Sequence, residues 1–325
     1  MSLPAWARAH GLPLFSATIR STPAEFDVTE ELGYEFDGEG EHDYVYVEKT
    51  GANTDWVSKQ LAGFAEVAAK DIGYSGLKDR HAVTRQWFSV PRWHAPDWNA
   101  FDVADIVIKD VQRHSRKLRR GAHKANRFQI VMRGKLPDLA ALDERITAIR
   151  QNGVPNYYGP QRFGRGGANI ELANSWASGR RLPRHKRSIA ISSARSFLFN
   201  ELLNQRVNDG TWNSLRRGDI ANLDGTGSIF DVDEIDDELL LRCNEMDIHP
   251  AAELAGDGSD CGHECWQKAF DKARVKPGSR SLRLRVHDLQ HETSSDSLSL
   301  GFALGRGAFA TSVLCEIASI SQPDR

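Results

Sequence analysis

Apolar and polar positions alternate along much of this chain, and the alternation predicts strands. Tyr44-Val45-Tyr46-Val47 alternates within residues 43–48, and Phe128, Ile130 and Met132 share one face of residues 127–133. Side chains two apart point the same way only in extended chain. Residues 17–30 read as extended structure broken at Pro23; residues 72–75, 86–90, 280–289 and 297–303 read as further strands. A helical period takes over elsewhere. Asn53-Thr54-Asp55 offers caps before Trp56, Val57, Leu61 and Phe64, and Leu139, Leu142, Ile146 and Ile149 recur along residues 138–151. Residues 188–207 form a longer amphipathic helix, residues 308–320 a terminal one, and residues 235–241 and 265–273 two short ones. Between them, residues 152–169 are rich in Gly, Pro, Asn and aromatics, an ordered loop. Strand-rich, helical and strand-rich stretches follow one another with no regular βαβ alternation. That order predicts α+β with mixed sheets rather than a doubly wound fold.

Length and composition refine this picture. A chain of 325 residues exceeds one ordinary core and predicts two domains. With 40% hydrophobic and 26% charged residues it is globular rather than disordered. No apolar run reaches the roughly 18–20 residues needed to cross a bilayer, and residues 1–10 lack the apolar stretch of a secretory signal. The expected location is the cytoplasm, with no membrane partner. The four cysteines are scattered, which does not suggest a disulfide framework. Cys261, His263 and Cys265 lie close together with His249 nearby, but their spacing matches no common zinc pattern, so no metal is expected.

The formal net charge is −2, yet the charge is segregated. Residues 112–127 hold Arg113, Arg116, Lys117, Arg119, Arg120, Lys124 and Arg127 with no acid, and residues 180–187 add Arg180, Arg181, Arg184, Lys186 and Arg187. Such runs are either solvated faces or surfaces that neutralise phosphates.

Candidate chemistry centres on Gly76-Leu77-Lys78-Asp79-Arg80. Cations on either side favour a carboxylate's charged form, which serves as nucleophile or general base. Gly76 is expected to allow a tight turn in front of it. By residue type alone, the same segment also reads as an ordinary surface turn. Other chemistries lack their signatures: there is no Walker A loop, G-x-G-x-x-G fingerprint, G-x-S-x-G elbow or H-E-x-x-H pair. Asn156-Tyr157-Tyr158-Gly159-Pro160-Gln161-Arg162-Phe163-Gly164 mixes rings, amides and Arg, a composition suited to unpaired RNA bases and equally to a core.

Taken together, these segments resemble the TruD family of tRNA pseudouridine synthases. The stretch from Gly76 to Gln86 matches its catalytic motif and the stretch from Asn156 to Gly164 its second motif. Further matches are Arg20 with Pro23, Glu25 and Phe26; Gly40-Glu41-His42; Lys117-Leu118-Arg119 with Asn126 and Phe128; Ala194-Arg195-Ser196 with Phe199-Asn200; and Phe309-Ala310-Thr311. They are collinear and span nearly the whole chain. The resemblance implies a pseudouridine-synthase-like core of mixed β-sheet with helices in permuted order, and an inserted second α+β domain. The catalytic domain would comprise residues 1–154 and 293–325, and the insertion residues 155–292. It implies isomerisation of uridine to pseudouridine at position 13 in the D arm of tRNA, with no cofactor, by a protein expected to be monomeric. Asp79 would be the catalytic carboxylate. Arg20 would pair with it, Phe128 would stack on the flipped base, Asn126 would bind the uracil edge or the loop, and Lys78 would serve the carboxylate or an RNA phosphate. Ala125 stands where the family usually has Gly, which puts the placement of Asn126 in question. The alternative is a non-catalytic RNA-binding or chaperone protein of the same fold.

Overall fold

The computed structural model describes residues 3–323. The chain divides into two compact units. One comprises residues 14–139 and 287–307 and the chain from Ala318 onward; the other comprises the chain up to Pro13 and residues 140–286 and 308–317. The second unit begins at Ala140, ahead of the change in sequence character at Asn152, because the helix Leu139–Asn152 is tied into it. Arg145 of that helix donates to the carbonyls of Glu316 and Leu12.

Ten strands of the first unit form one mixed sheet among the described residues. Its main path runs His287–Thr293, Ser297–Gly305, Ala125–Arg133, Phe26–Glu31, Val83–Pro91, His42–Thr50 and Ile106–His114. Phe26–Glu31 and Val83–Pro91 pair in parallel, and the other neighbours on this path are antiparallel. Strict alternation gives the sheet two chemically distinct faces. Phe26, Val28, Val45, Val47, Phe88, Phe128 and Ile130 point to a buried face. The opposite face carries ion pairs: Arg85 holds Asp27 and Glu48, and Arg127 holds Glu31.

Three departures from the sequence reading are informative. The strand Ile106–His114 was not anticipated, because as an edge strand it buries only Ile106 and shows no clean alternation. The terminal helix stops at Ile317, and Ala318–Ser321 becomes a strand parallel to Phe15–Ile19. The apparent strand at residues 280–289 is broken into Gly278–Ser281, Arg283–Leu284 and the start of His287–Thr293, with Asp288 in a left-handed conformation (φ 51°).

The other unit contains a four-stranded sheet, ordered Ile229–Asp231, Ile220–Leu223, Ile248–Leu254, Gly278–Ser281. The helices Ala168–Ala177, Arg184–Asn208 and Glu264–Ala273 pack together around Phe163, Phe197, Trp266 and Phe270. The segment from Asn156 to Gly164 is spent on this packing. Asn156 donates to the Ser281 carbonyl, and Tyr158 exchanges two backbone hydrogen bonds with the Asn200 amide, at 2.9 and 3.0 Å. The Cys261–Cys265 region is also engaged locally. His263 caps the helix Glu264–Ala273 and stacks on Trp266 at 4.1 Å, and the Cys261 thiol donates to the His263 carbonyl. His249 accepts from Arg283 and bonds Asp224.

Candidate active site

The site grows from two rows across the large sheet. One row reads Phe302, Phe128, Val28, Thr84 and Lys49 in cross-strand register; the next reads Leu304, Asn126 and Glu30. Below them the face is apolar, as in the row Leu300, Ile130 and Phe26. Polar residues therefore enter the buried face at one end, and the two charged ones, Lys49 and Glu30, are both engaged. Lys49 is 1% exposed, and its Nζ donates to the carbonyls of Ala52 (2.7 Å) and Asp79 (2.8 Å). Burial pulls its pKa down to about 8. Glu30 meets Lys78 Nζ at 2.6 Å. Burial raises the Glu30 pKa, with Lys78 opposing the shift.

These contacts hold the loop that follows Gly73–Tyr74. Gln86 donates to the Gly76 carbonyl at 3.1 Å, Lys78 N–H donates to Thr54 Oγ1 at 2.9 Å, and Thr54 in turn donates to Gln86. Arg80 donates to the Gly51 carbonyl. Thus the loop is clamped on both sides of Asp79, while the Asp79 side chain is 48% exposed. Gly76 does not adopt a left-handed backbone, so the turn does not depend on glycine freedom there. Gly73 does matter: a Cβ would overlap Ser89 Oγ and the Leu118 carbonyl.

Arg20 reaches Asp79 from a distant part of the chain; its Nη2 donates to Asp79 Oδ2. Arg20 itself has φ 61°, a conformation sparsely populated by residues other than glycine. Strain of this kind persists where the surroundings over-determine it and concentrates at functional sites. The guanidinium lies 3.9 Å over the Phe26 ring, and Phe26 meets Phe128 edge-on at 6.3 Å. Phe128 stacks on Phe302 at 5.3 Å and is 7% exposed. Ala125 opens its strand without a left-handed backbone, so glycine is not required before Asn126.

Lys78, expected to serve the carboxylate or an RNA phosphate, has its ammonium on Glu30 instead. Lys49, Glu30, Ser75 and His123 were missed by sequence reasoning. His123 is 8% exposed and bonds Ser75 Oγ through Nδ1 at 2.6 Å and Asn126 Nδ2 through Nε2 at 3.3 Å. Burial, with Lys78 and Arg306 as neighbouring cations, drops its pKa to about 4, so it is neutral at pH 7. The Asn126 Oδ1 atom is buried without a hydrogen-bond partner among the described residues.

The first basic run borders this loop. Lys117, Arg119 and Arg120, with Lys59 and Lys70, line a cavity of about 630 Å³ that also includes Asp55 and Tyr74. Gly121 N–H donates to the Ser75 carbonyl at 2.8 Å, which ties this cationic wall to the Asp79 loop. Among the described residues no group of three or more His, Cys, Asp or Glu side chains is placed to hold a metal ion.

The large mixed sheet with helices, bearing an exposed Asp in a clamped basic loop, has the fold of the pseudouridine-synthase class, as its matches to known proteins show. The chain matches the family model for tRNA pseudouridine synthase D (TruD) over residues 9–172 and 170–317. It is 41% identical to the tRNA pseudouridine synthase D of Methylococcus capsulatus, covering 95% of this chain and 93% of that one. It is 39% identical to that of Hydrogenovibrio crunogenus, covering 100% and 99%. The fold matches the crystal structure of a Methanosarcina mazei protein described as a tRNA pseudouridine synthase D, with a TM-score of 0.74 at 19% identity over 98% of this chain and 97% of that one. The chain belongs to the TruD family.

Proposed function

We propose that this protein isomerises uridine to pseudouridine in tRNA, at position 13 of the D arm, with Asp79 as nucleophile. Support comes from family membership together with one geometric observation: the Asp79 carboxylate is accessible and paired with Arg20 while its backbone is pinned by Lys49. A fixed, charged and exposed carboxylate suits attack on the nucleoside, whether at C1′ of the ribose or C6 of the uracil. The bond from C1′ to N1 breaks and the bond from C1′ to C5 forms. The proton on C5 is lost and N1 gains one, so the product is an isomer and no electrons or groups are exchanged with a cofactor.

The target base must leave its stack, at a cost of a few kcal/mol. Phe128 stacks on it in this reading, and Asn126 meets the uracil edge with its unpartnered Oδ1, which suits the N3–H donor. Arg20 orients the carboxylate. Lys78 is reassigned from RNA contact to support of the loop through Glu30. The wall containing Lys117, Arg119 and Arg120 receives backbone phosphates near the flipped nucleotide. No helix among the described residues is long and apolar enough to cross a membrane.

The test is Asp79→Ala, assayed by tritium release from tRNA labelled at uridine C5 and by filter binding of the same tRNA. Product formation is expected to vanish with binding retained. Turnover by the variant rules out the nucleophile, and absence of product from the unaltered protein leaves the RNA-binding alternative. Mapping pseudouridine in tRNA from cells lacking the protein tests the position, with loss expected at 13.

A further inference from the structure

The second acid-free run, residues 180–187, lies in the unit that does not carry Asp79. There a groove of about 600 Å³ opens beside the helix Glu264–Ala273. Arg180 and Arg181 approach from the loop after Ala168–Ala177, Arg187 from the first turn of Arg184–Asn208, and Lys268 and Lys272 from one side of Glu264–Ala273. All five are exposed, and no acid lines the groove. Among the described residues, Arg180, Arg181, Arg187 and Lys272 have no carboxylate within ion-pair distance, and Lys268 meets only Glu264 in an exposed pair. Trp176 and Leu182 supply apolar surface, and the Trp176 ring is set 5.9 Å from the fully buried Phe270.

Cations of one sign converging on a concave surface repel one another, and a polyanion relieves that repulsion. A flat lipid surface fits a protruding apolar helix face rather than a groove. Cations around an indole match a nucleic-acid strand, whose phosphates need the charges and whose bases and sugars need the apolar surface. We propose that this groove is a second RNA-binding site, holding about four backbone phosphates on the unit remote in sequence from Asp79. The choice of RNA as occupant rests on the reading that the chain acts on tRNA.

The experiment uses the full chain carrying Arg180→Ala, Arg181→Ala, Lys268→Ala and Lys272→Ala together. Binding of unmodified tRNA is titrated from about 50 to 200 mM salt. Loss of four phosphate contacts lowers the slope of log affinity against log salt by about 3. KM rises at least tenfold, and kcat at saturating tRNA is unchanged. Arg180→Lys with Arg181→Lys keeps the slope. Arg216→Ala with Arg217→Ala, a loss of exposed charge outside the groove, leaves it unchanged; a loss there equal, charge for charge, overturns the site. An unaltered slope and KM in the fourfold variant overturn it too. So does binding to phosphatidylserine vesicles that depends on these four residues while tRNA binding does not. Binding is read in the Asp79→Ala background as well. A failure of catalysis therefore leaves this proposal standing, and a failure of the groove leaves the nucleophile standing.

Discussion

Replacing Lys78 by Met separates its two possible roles. The Lys78 and Glu30 side chains are 5% and 0% exposed. Without the ammonium, Glu30 keeps, among the described residues, a single long hydrogen bond of 3.4 Å from the Trp87 N–H. Breaking a buried pair by removing one partner costs about 3–5 kcal/mol, because the remaining charge is uncompensated. For a unit of this size that corresponds to a fall in Tm of roughly 10 °C or more. The fall should depend on pH. Glu30 already has a raised pKa in the folded protein, and losing Lys78 raises it further. Between its unfolded and folded pKa values the native state binds more protons than the unfolded one, so stability falls as pH rises through that window. The deficit of Lys78→Met should therefore be largest above neutrality and shrink on acidification. Lys78→Met with Glu30→Leu should recover most of it, since apolar replacement of a whole buried pair is often near neutral. The measurements are thermal melts from pH 5 to 8 and KM for tRNA. An unchanged Tm with a raised KM and a reduced salt slope refutes the reasoning and returns Lys78 to the RNA.

Other perturbations follow from the same geometry. Arg20→Gly removes a left-handed non-glycine residue together with its guanidinium; melts should show stability within about 1 kcal/mol of the parent, since strain relief offsets lost contacts, while kcat falls by about two orders of magnitude. Lys49→Met should leave stability near the parent at pH 7, because relief of a buried charge offsets two lost hydrogen bonds, and should lower kcat rather than raise KM. Lys49 also gives the parent stability that rises between about pH 8 and 10.5, since its folded pKa is lowered to about 8; melts of Lys49→Met over that range should lack the rise. His123, lowered to about 4, makes the unfolded state the better proton binder below about 6.5, so stability is lost as pH falls through that window, by on the order of 3 kcal/mol in full; His123→Gln should flatten that part of the acid profile.

The sheet was legible where a strand carries its alternation in its own residues, however distant its partners. Residues 127–133 announce themselves because Phe128, Ile130 and Met132 are buried while Arg127 and Arg133 pair with acids, and residues 43–48 because β-branched and aromatic residues alternate strictly. The strand Ala318–Ser321 was not legible, since its partner Phe15–Ile19 lies some 300 residues away and four residues carry too little periodicity to compete with a preceding helix. Within the site, Asp79, Arg20, Asn126 and Phe128 came from motif resemblance, and physics alone left Asp79 a surface turn. Two of the missed residues did have a signal. Lys49 continues the inward phase of Val45 and Val47, and Glu30 that of Phe26 and Val28. A charge on the apolar phase of a strand must be paired or otherwise satisfied. His123 gave no such signal, because it sits in a loop whose burial depends on Ser75 and Asn126 being brought to it.

That pattern bears on why the site is where it is. Strands that supply an apolar core from Phe26, Val28, Val45 and Val47 turn polar at Glu30, Lys49, Thr84, Gln86 and Asn126. Each of these residues would bury as well or better if it were apolar, so the fold gains little from them by themselves. Three of them bear directly on one loop: Lys49 on the Asp79 carbonyl, Glu30 on Lys78, and Gln86 on Gly76. The same loop exposes the Asp79 carboxylate, alongside Leu77, Arg80 and His81, and that carboxylate meets Arg20, whose own backbone is strained. Unfavourable choices at Lys49, Glu30 and Gln86 that converge on one loop are better explained by selection for placing that loop and its carboxylate than by selection for the fold.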